Sequence, residues 1–100
     1  MPLLPVNRQT DPDVPHCSGM NRARGSHNVF TNNLPTAREG VDPNEPHLKP
    51  GGDKCFTHQA AVSKGSRTVF VNGIPVARET DPLASCTSVA KGSPDVYAGG

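Results

Sequence analysis

Apolar positions in this chain come in pairs and triplets rather than in stripes. Val69-Phe70-Val71 is followed by Asn72-Gly73 and then Ile74-Pro75, and the same rhythm runs through Val29-Phe30, Asn32-Asn33 and Leu34-Pro35. β-Branched and aromatic residues in a short run bounded by turn formers read as a strand. Asn-Gly is the strongest two-residue signal for a type I′ turn, because both central residues need positive φ. Asn32-Asn33 fills the same place less comfortably, since Asn tolerates that conformation at some cost. Proline cannot donate to a ladder, so Pro75 belongs at a strand start or a free edge. No helical spacing of apolar residues extends over a useful length. The pattern predicts an all-β protein with very short strands.

The hairpin is written more than once. Gly25-Ser26 matches Gly65-Ser66, Val29-Phe30 matches Val69-Phe70, and Asn32 matches Asn72. Leu34-Pro35 matches Ile74-Pro75, and Ala37-Arg38-Glu39 matches Ala77-Arg78-Glu79. After one inserted residue, Asp42-Pro43 matches Asp81-Pro82. A third copy starts at Gly92-Ser93-Pro94-Asp95-Val96-Tyr97 and stops at Ala98-Gly99-Gly100, where the others turn. The chain reads as a threefold internal repeat with a truncated last member.

Composition then narrows the problem. One hundred residues, 33% of them hydrophobic and none of them Trp, make one small domain, residues 1–100, with little apolar surface. Ten glycines and eleven prolines mean that turns and loops dominate. A core this thin barely exceeds chain entropy, and domains of this kind commonly rely on a metal, a disulfide or a partner. A net charge of +1, spread along the chain without a basic stripe, gives nucleic-acid binding little support. The N-terminal segment has no basic start or apolar run of a signal peptide. No stretch approaches the roughly 20 apolar residues of a membrane span. The expectation is a protein that works in the cytoplasm or leaves by a route that reads no cleavable signal.

Candidate chemistry lies in three cysteines (Cys17, Cys55, Cys86) and four histidines (His16, His27, His47, His58). An odd count leaves one cysteine over in any disulfide framework. Without a secretory signal, Cys and His together favour a metal. Asp11-Pro12, Asp42-Pro43 and Asp81-Pro82 each carry a metal-capable side chain four residues past the proline: His16, His47 and Cys86. The least regular segment, Gly40 to His58, has few strand formers and holds His47, Cys55 and His58. Pinning by a metal would keep such a loop ordered.

Gly-Ser-x-x-Val-Phe, followed by "NLPTAR" or "GIPVAR" and then Asp-Pro, resembles the PAAR-repeat proteins. These form the sharpened tip of type VI secretion spikes and of related contractile phage tails. The likeness runs from about Asp11 to Gly100, with the tetrapeptide written Pro-Thr-Ala-Arg (35–38) and Pro-Val-Ala-Arg (75–78). The resemblance implies a small cone of three pseudo-threefold β-hairpin repeats. Its base would sit on a trimeric β-helical spike protein, VgrG-like or a phage central spike. Its apex would be pinned by one structural Zn2+, held in related proteins by three histidines and one cysteine. Carried over, the quartet is His16, His47, His58 and Cys86. Spacing leads to nearly the same set, because His16, His58 and Cys86 lie nine, seven and six residues ahead of Gly25, Gly65 and Gly92. Three loops converging on a pseudo-threefold axis, plus His47, would make a closed tetrahedral site, which structural zinc prefers.

Other readings stay in play. Cys55, three residues before His58, could replace a ligand. Cys17 directly follows His16, and adjacent residues seldom both reach one ion. A Cys17–Cys55 disulfide is a further option. His27, at the place of Arg67 and Pro94, reads as a surface residue. Arg38 and Arg78 read as braces for the loops below them rather than as an anion site. Phe30, Phe70 and Tyr97 read as a small core or part of the flat base. A closed quartet leaves no position for a reactive water, so a zinc hydrolase using Glu45 as base is a distant alternative. A free-standing zinc-stapled binding module is the nearer one. The favoured reading is a non-enzymatic, membrane-piercing tip, a monomer on a trimeric spike, touching the target envelope transiently and accepting effector cargo at its termini. It would be assembled in the cytoplasm and then delivered outside the cell or carried on a virion.

Overall fold

A computed structural model describes residues 3–51 and 54–100, and within them the chain is all-β, with short strands and no helix. Strand β2 (Phe30–Thr31) pairs antiparallel with β3 (Leu34–Pro35), and β6 (Phe70–Val71) pairs with β7 (Ile74–Pro75). Asn32 and Asn33 have φ of 54° and 66°, and Asn72 and Gly73 have φ of 56° and 77°. Two consecutive positive values are what a type I′ turn requires, so both turns form as their residues predict.

The third repeat is complete. β8 (Tyr97–Ala98) pairs with β1 (Leu4–Pro5), and Pro5 faces Tyr97 as Pro35 faces Phe30 and Pro75 faces Phe70. The reading of a truncated last member is thereby corrected: the two ends of the chain close one hairpin. Pro5-Val6-Asn7-Arg8 is then a third copy of the Pro-x-Ala-Arg segment, with Asn in place of Ala.

These three segments meet on a pseudo-threefold axis. The Asn7 N–H donates to the Ala77 carbonyl, Ala77 to Ala37 and Ala37 to Asn7, at 2.9, 3.0 and 3.0 Å. All three residues are fully buried, because the closed triangle of backbone leaves room only for small side chains on the axis. Each following arginine grips its own Asp-Pro loop: Arg8 with Asp11, Arg38 with Asp42, Arg78 with Asp81. Each also donates to the tip of the next hairpin, Arg8 to Asn32, Arg38 to Asn72 and Arg78 to the Gly99 carbonyl. The arginines are braces, as expected, and the ring they form is cyclic.

The Gly-Ser pairs lock this ring. A Cβ on Gly25 would lie 2.6 Å from the Pro35 carbonyl oxygen and one on Gly92 2.7 Å from that of Val6, so only glycine permits the approach. The serine hydroxyls accept from the backbone N–H groups that open each hairpin and donate to Asn72, Gly99 and Asn32 of the neighbouring tips.

Apolar packing is sparse, as the composition requires. Val6, Val71, Val76 and Ala98 form one cluster beside the hairpins, and Ala37, Ala60, Val62, Ala77, Leu83 and Val89 form another beyond the triangle. Phe30, Phe70 and Tyr97 belong to neither; they are 57%, 54% and 50% exposed and project from the three hairpins. The Gly40–His58 segment also departs from expectation. It holds the longest hairpin in the described chain, β4 (His47–Gly51) with β5 (Lys54–His58), in which His47 faces His58.

Candidate metal centre

Four side chains converge beyond the second apolar cluster. The donor atoms of His16, His47, His58 and Cys86 all lie within 4.8 Å of one another. His47 and His58 arrive as cross-strand partners at the open end of the β4–β5 hairpin. Cys86 sits in the loop after Asp81-Pro82 and packs against the apolar cluster. His16 comes from the corresponding loop after Asp11-Pro12. The Cys86 sulfur is 2.8 Å from His16 Nε2, 3.5 Å from His47 Nε2 and 3.4 Å from His58 Nε2. Metal–sulfur and metal–nitrogen bonds of about 2.3 and 2.0 Å at tetrahedral angles place S and N about 3.5 Å apart. Two of the three separations already match, and the four residues fit a single metal ion.

Electrostatics favour the ligating forms. The His47 Nδ1–H donates to the Glu45 carbonyl at 2.8 Å, which leaves the Nε2 lone pair facing the cluster. Burial, followed by the neighbouring His47 and Lys49 charges, pushes the His16 and His58 imidazoles below their ordinary value. Neutral imidazole is the form that binds a metal. Lys49 itself is tied to the Ser85 carbonyl at 2.7 Å, and the Leu48 N–H donates to the Ser18 hydroxyl. The β4–β5 hairpin is thus held between the two loops that carry His16 and Cys86.

The remaining candidates separate cleanly. Cys17 is disulfide-bonded and cannot serve as a thiolate ligand, whereas Cys86 carries a free thiol. The expectation that cysteines serve a metal rather than disulfides is therefore wrong for Cys17, while Cys86 is left free to bind one. The Cys55 side chain lies outside the described residues. His27 is exposed and is not among the grouped residues. The Glu45 carboxylate accepts from the Asn21 N–H.

A buried polar column beneath the quartet went unseen in the sequence. Arg22, 1% exposed, donates to Asp13 at 2.5 Å and to Asn7 at 3.0 Å. Its Nη1 also points at the Asp42 and Ala60 carbonyls. Asn44 donates to the other Asp13 oxygen at 2.9 Å and accepts from the Ala60 N–H at 2.8 Å. Burial raises the Asp13 carboxyl pKa and lowers that of the Arg22 guanidinium, with their mutual attraction opposing both shifts. Among the described residues no buried side-chain N or O lacks a partner. A signal was present: Asp13 and Asn44 stand where the third repeat has Leu83, and Arg22 stands where the others have Val62 and Val89.

Comparison with known families gives one match. The family model described as the PAAR motif covers residues 51–100, half of the chain. No curated protein matches it.

Proposed function

The chain belongs to the PAAR motif family, and from that premise we propose that it is the non-enzymatic tip of a contractile injection spike. The motif carries a spike-tip-associated role in general. The finer reading is that residues 1–100 act as one tip domain that caps a trimeric β-helical spike, of a type VI secretion system or a phage tail, and sharpens it for membrane piercing. The observation that carries it is the backbone triangle of Asn7, Ala37 and Ala77. A single chain that builds cyclic threefold hairpins offers a threefold partner three equivalent contacts. Phe30, Phe70 and Tyr97, exposed at matching positions, are apolar contacts of that kind.

In this reading His16, His47, His58 and Cys86 hold one structural zinc. The ion would cross-link loops that the sparse core cannot hold alone, at about 10–16 kcal/mol in small zinc-dependent domains. Four protein ligands leave no coordination position for a substrate water. That supports a structural rather than hydrolytic ion. The β1–β8 pairing sets the first and last described strands side by side, where effector cargo can be attached without interrupting a repeat. Such a protein is assembled with its spike in the cytoplasm and acts at the spike's end.

Native mass spectrometry of the chain mixed with the trimeric spike of its own machine tests the reading. One copy per trimer is expected, weakened by replacing Phe30, Phe70 and Tyr97 together with Ser. Three copies per trimer would overturn it, and the absence of any complex would overturn it and leave a free-standing metal-stapled binding module.

A further inference from the structure

The four ligands do not account for the polar column beside them. Three pseudo-equivalent positions follow the Asp-Pro steps: Asp13, Asn44 and Leu83. Their bridge partners, Val89, Arg22 and Val62, are equivalent in turn. The Val62–Leu83 bridge is wholly apolar, so the fold does not demand polarity there. A buried ion pair is costly to desolvate and is often matched or bettered by apolar residues of similar volume. Something other than folding selects Arg22, Asp13 and Asn44.

The geometry of Asn44 indicates what that is. Its side chain is fully buried, and its Oδ1 is committed to the Ala60 N–H, which fixes the amide orientation. One Nδ2 proton goes to Asp13. The other faces the Cys86 sulfur, with Nδ2 4.0 Å away, at the outer edge of an N–H···S contact. Asp13 is held in turn by Arg22, and Arg22 by Asn7. Each member is oriented by the next.

We propose that Asn44 is a positioning residue of the metal centre: its side-chain N–H donates to the Cys86 thiolate, and the Arg22–Asp13 pair holds it in that pose. The inference rests on reading the quartet as a metal site. A thiolate ligand gains from a donor fixed before the metal arrives, because its negative charge is stabilised without reorganisation. Partners of this kind behind a ligand commonly change metal affinity 10–100-fold. The apolar bridge on the other side of the axis cannot supply a donor, which explains why the threefold pattern is broken here and not at Leu83.

The test combines two measurements on the full chain. In wild-type protein loaded with cadmium-113, NMR should detect a coupling between the metal and a side-chain amide proton of Asn44, transmitted through the sulfur. Asn44→Leu, which copies the residue of the third repeat, should lower zinc affinity 10–100-fold in competition with a chelator. It should also shift the thiolate-to-metal absorption of the cobalt-loaded protein. Wild-type affinity with an unshifted band in Asn44→Leu would overturn the proposal. So would the absence of cadmium coupling in the wild type, which decides the matter alone if the variant does not fold. A wild-type chain that takes up no metal overturns the metal reading as well, and so separates the two failures.

Discussion

The hairpins and the ligand cluster stand on one pseudo-threefold backbone and use it in opposite ways. At the hairpins the same residue types recur three times: Gly-Ser, an exposed aromatic, a proline, an arginine gripping an aspartate. At the ligand end the equivalent positions diverge: Asn7 against Ala37 and Ala77, Arg22 against Val62 and Val89, Asp13 and Asn44 against Leu83. Backbone hydrogen bonds are open to any residue, so they carry the symmetry. Three loops cannot supply four ligands symmetrically. The β4–β5 hairpin contributes two of the four candidate ligands, His47 and His58, and the packing beneath departs from threefold with it.

Removing the metal attacks the ligand end alone and should have the largest effect. Chelation of zinc-loaded protein, or Cys86→Ala, is expected to cost about 10 kcal/mol or more. Calorimetry would read this as a fall in Tm of about 40 °C or more, at about 4 °C or more per kcal/mol for a domain of this size. Unchanged metal content and melting in both Cys86→Ala and His47→Ala would refute those assignments. Acid reaches the same end gradually. His16 and His58 have folded values below the ordinary imidazole range, so the unfolded chain takes up protons first. Their contribution is full above about pH 6.5 and is lost as pH falls through that value toward the depressed folded ones. A titration of Tm in which stability rose on acidification from pH 7 to 5.5 would contradict this sign.

Breaking the polar column should come next in size. Arg22→Ala strands Asp13 without its counter-charge in a site with no solvent access, which costs about 3–5 kcal/mol. Restoring the symmetry instead, with Arg22→Val, Asp13→Leu and Asn44→Leu together, should recover most of that loss in urea unfolding. A triple variant as unstable as Arg22→Ala would mean that the column is needed for folding itself and that the contrast between the two ends is overstated.

What was legible follows the same division. Hairpin chemistry is local: Asn72-Gly73 and its flanking strands lie within six residues, so turn type and pairing could be read directly. The quartet was legible mainly through the family resemblance, and spacing reaches it in part: Asp-Pro stands at a constant distance from His16, His47 and Cys86, and His58 lies seven residues ahead of Gly65. Arg8 and the third Pro-x-x-Arg segment were missed because one repeat is split between the chain ends. The β4–β5 ladder was missed because Pro50 and the glycines mask strand propensity, while the cross-strand contacts at its open end outweigh it. The column was missed because Arg22, Asp13 and Asn44 come from different loops, and only the structure aligns them with apolar positions in the other repeats.

The smallest expected effect compares three equivalent backbone positions directly. Thr10, Gly40 and Thr80 each donate their N–H within their own loop, to the Arg22, Val62 and Val89 carbonyls, and their φ values are 78°, 74° and 74°. Glycine adopts this conformation freely, whereas a β-branched residue at positive φ is strained by about 1–3 kcal/mol. The Thr80 side chain is exposed, so its removal exposes no core. Glycine widens the unfolded ensemble, which costs about 0.4–1 kcal/mol in return. The difference predicts that Thr80→Gly raises stability by about 1 kcal/mol, and that Gly40→Thr lowers it by a similar amount. Paired urea melts of the two variants read this directly. Thr80→Gly losing stability would show that the loops of the three repeats, alike in backbone, are not alike in strain.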